Sequence, residues 1–130
     1  MRELRKTILV IEDEISLSDI LKDELTEQGF RCITASNGIE GLALIQDVEP
    51  DLIICDRAMP AMTGYELLER LRGVYPQYAT VPFIFLTALT EDSDKKAVEH
   101  LAPAAYLSKP LDFDLLLETI NNILNSWVYF

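Results

Sequence analysis

The chain has 130 residues, the size of one ordinary domain and enough to bury a hydrophobic core. Its 49% hydrophobic and 25% charged residues are globular proportions, and no apolar run approaches the roughly 20 residues of a membrane helix. Eleven basic against 22 acidic residues leave a net charge of −11, which repels phosphate backbones and anionic lipid surfaces and argues against direct nucleic-acid or membrane binding.

Met1–Lys6 is charged and runs directly into Thr7–Ile11 (TILVI), without the apolar stretch and cleavage site of a secretory leader, so a cytoplasmic location is expected. TILVI is continuously apolar, the pattern of a strand buried on both faces. Ile15, Leu17, Leu21 and Leu25 then recur at helical spacing, and Gly29 supplies the stop. Phe30–Ala35 predicts a second strand, after which Asn37 and Glu40 have capping-box spacing at the head of a helix through Leu42, Ala43 and Ile45. Asp51–Cys55 predicts the third strand, Met59, Pro60 and Gly64 the loop after it, and Tyr65–Arg72 a helix carrying Leu67, Leu68 and Leu71.

Val81–Leu86 predicts a fourth strand, with Pro82 near its start where a missing donor is tolerated. Thr90–Leu101 is a weakly amphipathic helical stretch that ends before Pro103. Ala105–Ser108 predicts a short fifth strand, and Asp112 a cap for a last helix with Leu116, Ile120, Ile123 and Leu124 on one face. Trp127–Phe130 is unusually apolar, read as a last helical turn on the core, with an interface or a junction to further chain as the other reading. Cys32 and Cys55 are too few and too isolated for a disulfide framework or a zinc site, and both are expected as reduced core residues.

Five strands alternating with helices imply right-handed crossovers and a parallel sheet covered on both faces. The expected fold is α/β and flavodoxin-like: a doubly wound five-stranded parallel sheet of order 2-1-3-4-5, formed by residues 1–130 as a single domain. In such sheets, reactive groups gather outside the carboxyl ends of the strands where the strand order reverses. Glu12 and Asp13 follow strand one, Asp56 strand three, Thr87 strand four and Lys109 strand five, so residues nearly a hundred positions apart are predicted to meet at one crevice.

Three carboxylates held together repel: two like charges at 4 Å cost roughly 4 kcal/mol at an effective dielectric of 20. Only oxygen ligands are on offer, which selects a hard cation, Mg²⁺ foremost with Mn²⁺ able to substitute. Asp13, Asp56 and the backbone carbonyl of Ala58 are the expected protein ligands, with Glu12 orienting a bound water. Such a site suits phosphoryl transfer, where positioning and charge neutralisation do most of the catalysis. A carboxylate oxygen of Asp56 is the expected nucleophile, giving an acyl phosphate, with Lys109 and Thr87 on the phosphoryl oxygens.

Over essentially its whole length the sequence resembles the receiver domain of two-component response regulators. The resemblance is carried by ILVIEDE (Ile8–Glu14), LIICDRAMPAMTGYELL (Leu52–Leu68), FIFLTAL (Phe83–Leu89) and YLSKPLDFDLL (Tyr106–Leu116), in that order and spacing. It implies a phosphoprotein in a phosphorelay, taking its phosphoryl group on Asp56 from a sensor histidine kinase or a histidine phosphotransfer protein. It also implies that Thr87 and Tyr106 act as switch residues, reshaping the face made by Thr90–Leu101, the fifth strand and the last helix. The signal then leaves through an effector protein or through an output domain outside this chain. A cis Lys109–Pro110 bond, usual in the family, would aim the ammonium.

Three departures stand out. Receivers usually carry a glycine where this chain has Ala102-Pro103-Ala104-Ala105, Glu12 replaces the commoner Asp, and Ala58 and Leu89 are non-polar at the two positions that would steer an attacking water. The chain is therefore not expected to be an enzyme beyond its own phosphotransfer and a slow self-dephosphorylation. Competing functions are a pseudo-receiver that binds proteins without phosphorylation, and a dehalogenase-type phosphatase. The latter uses D-x-D after the first strand, whereas this chain has Asp56-Arg57-Ala58 after the third. A flavin site is disfavoured because no Ser/Thr/Gly-rich phosphate loop follows the first strand. Glu14 and Asp51 are read as solvated loop or cap residues, and His100 as a surface residue rather than a phosphodonor.

Overall fold

The hydrophobic periods translate into structure in chain order. The computed structural model describes residues 5–88, 96 and 99–125. Within them run β1 (Thr7–Ile11), α1 (Ile15–Glu27), β2 (Arg31–Ala35), α2 (Gly38–Val48), β3 (Leu52–Asp56), α3 (Gly64–Gly73), β4 (Phe83–Thr87), β5 (Ala105–Ser108) and α4 (Phe113–Asn125), with 3₁₀ turns at Pro76–Tyr78 and Glu99–Leu101. The strands form one parallel sheet in the order β2-β1-β3-β4-β5, the expected doubly wound arrangement.

Every residue of β1, β3 and β4 is buried, as strands covered on both faces require. Their side chains alternate between two cores. Ile8, Val10, Leu52, Ile54, Ile84 and Leu86 meet Leu21 and Leu25 of α1 and Leu116, Ile120 and Leu124 of α4. Leu9, Ile11, Ile53, Cys55, Phe83 and Phe85 meet Ile45 of α2 and Leu67, Leu68 and Leu71 of α3. Each fully buried large aliphatic or aromatic side chain contributes about 1.5–3 kcal/mol. Cys32 and Cys55 are buried free thiols in these cores, and burial pushes both thiol pKa values up, Cys32 to about 11.

Chain punctuation follows local chemistry, with some corrections to the sequence-based reading. Gly29 ends α1 at φ +97, a conformation that favours glycine. Asn37 Oδ1 accepts the Glu40 N–H at 2.8 Å, but the Glu40 carboxylate bonds the Ser36 N–H at 3.1 Å instead of closing a box with Asn37. The complete capping box is at Thr63 and Glu66, ahead of α3. Asp112 caps α4 as expected, accepting from Leu115 N–H at 3.1 Å. β3 begins at Leu52, and Asp51 is not merely solvated: its Oδ2 accepts the Thr7 N–H at 2.7 Å and ties the start of β1. β4 begins after the donorless Pro82. Of the predicted Thr90–Leu101 helix, the described part ends in a 3₁₀ turn at Glu99–Leu101; most of it, like Leu89 and Trp127–Phe130, lies outside the described residues.

Ala102 stands at φ +52, in the left-handed region. That geometry accounts for the glycine expected in this loop, and it costs an alanine about 1–2 kcal/mol. The loop still delivers β5 in register, with Ala104 N–H bonding Phe83 O at 2.8 Å.

α3 starts against the end of β3. A Cβ on Gly64 would lie 2.6 Å from the Asp56 carbonyl oxygen and 3.1 Å from Arg57 Cα, whereas one on Gly73, in the last position of the same helix, would meet nothing within 4 Å. Gly64→Ala is therefore expected to lower unfolding free energy by about 1–3 kcal/mol through overpacking. Gly73→Ala should be neutral or stabilising by up to about 1 kcal/mol. Urea unfolding of both variants checks this; equal effects would contradict the close approach at Gly64.

Candidate functional site

Register brings the expected site residues together. Ile11 pairs with Cys55, so Glu12 and Asp56 follow side by side; Asp56 pairs with Leu86, which puts Thr87 next; Thr87 pairs with Ser108, which puts Lys109 next. The crossing is reinforced by Glu12 N–H to Ala35 O at 3.0 Å, Arg57 N–H to Leu86 O at 2.9 Å and Lys109 N–H to Thr87 O at 2.9 Å. Glu12, Asp56 and Thr87 are buried, Lys109 is half-buried, and Asp13 is exposed at the mouth. The Lys109–Pro110 peptide bond is cis, as the family resemblance implied.

One ammonium holds two of the acids. Lys109 Nζ is 2.9 Å from Glu12 Oε1 and 3.4 Å from Asp56 Oδ2. The other oxygens take backbone donors: Glu12 Oε2 accepts Glu14 N–H at 3.1 Å, and Asp56 Oδ1 accepts Ala58 N–H at 3.2 Å. Burial raises the Glu12 pKa from 4.5 to about 7, against the opposing pull of the Glu14 N–H and Lys109. Burial also raises the Asp56 pKa, with Lys109 and the Ala58 N–H opposing it. Burial alone would lower the Lys109 pKa, but Glu12 and Asp56 outweigh it and the net shift is upward. The ammonium is charged throughout the physiological range.

Carboxylate oxygens of Glu12, Asp13 and Asp56 lie within 4.8 Å of one another. Three carboxylates against one ammonium leave a formal surplus of two negative charges. An all-oxygen donor set with that surplus fits a hard divalent cation. Glu12 and Asp56 each have both oxygens engaged, and Asp13, exposed at the mouth, is the freest of the three.

The two expected switch residues lie on neighbouring strands, Thr87 at the end of β4 and Tyr106 inside β5. Thr87 ends β4 in a buried position. Tyr106 in β5 stacks on its cross-strand partner Phe85, ring centroids 5.1 Å apart and planes 26° apart, and its hydroxyl oxygen is buried. Tyr106 thus already faces inward, where an inward movement was expected to follow phosphorylation. Glu14 is exposed, as read from the sequence, although its N–H serves Glu12. His100 is exposed in the 3₁₀ turn, 6.5 Å ring to ring from Tyr65.

The raised Glu12 pKa has a pH consequence. Between about pH 4.5 and 7 the folded state binds more protons at Glu12 than the unfolded chain, so stability falls as pH rises through that window. Relative to Glu12→Gln, the metal-free wild type should lose up to about 3 kcal/mol across it. Parallel urea-derived stability profiles for the two proteins would contradict a buried, proton-holding Glu12.

Comparison with known proteins agrees with this geometry. The family model described as the response regulator receiver domain matches residues 8–121. The chain is 38% identical over 117 residues to a probable transcriptional regulator, ycf29, of Porphyra purpurea, covering 90% of this chain and 56% of that protein. It is 37% identical over 105 residues to an uncharacterised 14.6 kDa protein of Leptolyngbya boryana, covering 81% of this chain and 79% of that one. The chain spans about half the length of the probable transcriptional regulators ycf29 and ycf27 that it matches. Among solved structures, the chemotaxis protein CheY4 of Vibrio cholerae superposes with a TM-score of 0.86 at 31% identity, over 92% of this chain and 98% of that one. A site-bearing 2-1-3-4-5 sheet, a family model spanning nearly the whole chain and structural agreement of this order lead to one assignment: the chain belongs to the receiver-domain family of response regulators.

Proposed function

We propose that the chain is the phosphoacceptor of a two-component phosphorelay and that Asp56 takes the phosphoryl group. The observation that carries this reading is the Asp56 carboxylate itself. It is buried at the sheet edge beside two further carboxylates, with one oxygen 3.4 Å from the Lys109 ammonium and the other on the Ala58 N–H. In the transfer, an Asp56 oxygen forms a bond to phosphorus as the bond from phosphorus to the donor's imidazole nitrogen breaks, and the imidazole departs with a proton. Lys109 neutralises charge growing on the phosphoryl oxygens, and the Thr87 hydroxyl donates to one of them.

Asp13 and Asp56, with the backbone carbonyl of Ala58, would hold Mg²⁺ (or Mn²⁺ in its place), and Glu12 would orient one of its waters. The bound ion supplies charge neutralisation in the transition state and offsets the surplus of negative charge. Phosphorylation then acts through Thr87 and Tyr106 on the protein-binding face. The donor is a histidine kinase or histidine phosphotransfer protein, and the recipient of the signal is an effector protein or an output domain. The acidic surface favours such protein partners over nucleic acid or membrane, and a cytoplasmic setting suits them.

The test is exposure to a small phosphodonor, with and without Mg²⁺, followed by intact-mass measurement. Wild type should gain one phosphoryl group only with the metal, and Asp56→Asn should gain none. With non-polar Ala58 and Leu89 unable to steer a water, the adduct should persist for minutes or longer. No adduct would favour a pseudo-receiver, an undiminished adduct in Asp56→Asn would place the acceptor elsewhere and overturn the Asp56 assignment, and loss within seconds would overturn the slow self-dephosphorylation.

A further inference from the structure

Arg72, next to last in α3, reaches away from the acidic site toward the entries of β4 and β5. Its Nε bonds Leu101 O at 3.0 Å, one terminal nitrogen bonds Val81 O at 2.9 Å, and the other lies 3.4 Å from Ala102 O. The guanidinium is half-buried and burial lowers its pKa. Its hydrogen-bond partners among the described residues are carbonyl oxygens, held by the planar fork that only arginine offers.

The Leu101 and Ala102 carbonyls belong to the corner that leads into β5. Ala102 sits at φ +52, where an alanine is strained, and such strain persists only when the surroundings impose it. Two residues later the Ala104 N–H bonds Phe83 O and opens β5, an edge strand with β4 as its one neighbour. The next rungs pair Ala105 with Ile84 and Tyr106 with Phe85. α3 touches this corner at a second point, where the Tyr65 ring faces His100. The same helix begins at Gly64, in contact with the Asp56 carbonyl.

We propose that Arg72 is a positioning residue for Tyr106: by clasping the Val81, Leu101 and Ala102 carbonyls it fixes how β5 enters the sheet and keeps Tyr106 stacked on Phe85. Because α3 runs from Asp56 to this clasp, it forms a second mechanical connection between acceptor and switch tyrosine, beside the one through Thr87. This signalling consequence rests on the reading of Asp56 as phosphoacceptor; the positioning itself does not.

The test uses the full chain with Arg72→Lys, which keeps the aliphatic stem but cannot span three carbonyls. The ring signals of Tyr106, assigned by Tyr106→Phe, should lose the ring-current displacement given by Phe85. Amide exchange at Ala104–Tyr106 should accelerate about tenfold, the scale expected for losing charged hydrogen bonds. Adding Ala102→Gly, which makes the left-handed corner easy to hold, should restore both readouts. Unchanged Tyr106 signals in Arg72→Lys, or displaced signals that Ala102→Gly fails to rescue, would overturn the proposal, even if the variant is less stable. Adduct formation at Asp56 is measured on the same samples and should match wild type; its absence from wild type would sink the phosphoacceptor reading and leave the Tyr106 comparison standing.

Discussion

Three carboxylates, from Glu12, Asp13 and Asp56, converge beside the Lys109 ammonium, which lies 2.9 Å from Glu12 and 3.4 Å from Asp56. Burial makes the charged forms of Glu12 and Asp56 costly, and their raised pKa values register that cost. A divalent cation and a phosphoryl group belong to the same electrostatic problem. On the proposed function, a divalent ion would offset the excess negative charge, and a phosphoryl group would bring charge that the ion and the ammonium could stabilise. Much of the chain's organisation can be followed outward from this crowding.

The sheet maintains the crowding because its central strands are buried on both faces and cannot slip register without moving every core side chain. The backbone adds local restraints. Gly64 lets α3 approach the Asp56 carbonyl, its N–H bonds Arg57 O at 3.0 Å, and the Ala58 N–H returns to the Asp56 carboxylate. Asp56 is thus held by β3 on one side and by the loop into α3 on the other, a rigid mounting of the kind that positioned nucleophiles need. At the far end of α3, Arg72 bonds the Val81 and Leu101 carbonyls ahead of β4 and β5, so one helix contacts both the Asp56 carbonyl and the approach to the edge strand bearing Tyr106.

Much of this was legible in the sequence because it depends on period and order. Continuous apolar runs alternating with helical stretches specify a parallel sheet, and the switch-point rule then collects Glu12, Asp56, Thr87 and Lys109 without further information. Strand edges were less legible. Asp51 reads as a loop acid because its partner, the Thr7 N–H, is 44 positions away. The Thr63–Glu66 capping box has a local signature, T-x-x-E, that was obscured by the Met-Pro loop before it. The role of Arg72 had no sequence signal: its partners are backbone carbonyls 9, 29 and 30 positions distant, and a carbonyl carries no residue identity. Ala102 falls between these cases, since the sequence marked the loop as unusual but only the dihedral shows that an alanine occupies a glycine-like conformation.

The decisive question is chemical: which atom carries the phosphoryl group. Borohydride reduces an aspartyl acyl phosphate to homoserine, leaving ordinary carboxylates intact, so peptide mapping after phosphodonor treatment with Mg²⁺ locates it directly. If Asp56 is the acceptor, homoserine should appear at position 56 and nowhere else. Homoserine at another acid, or an unreduced phosphoryl group on His100, would contradict it.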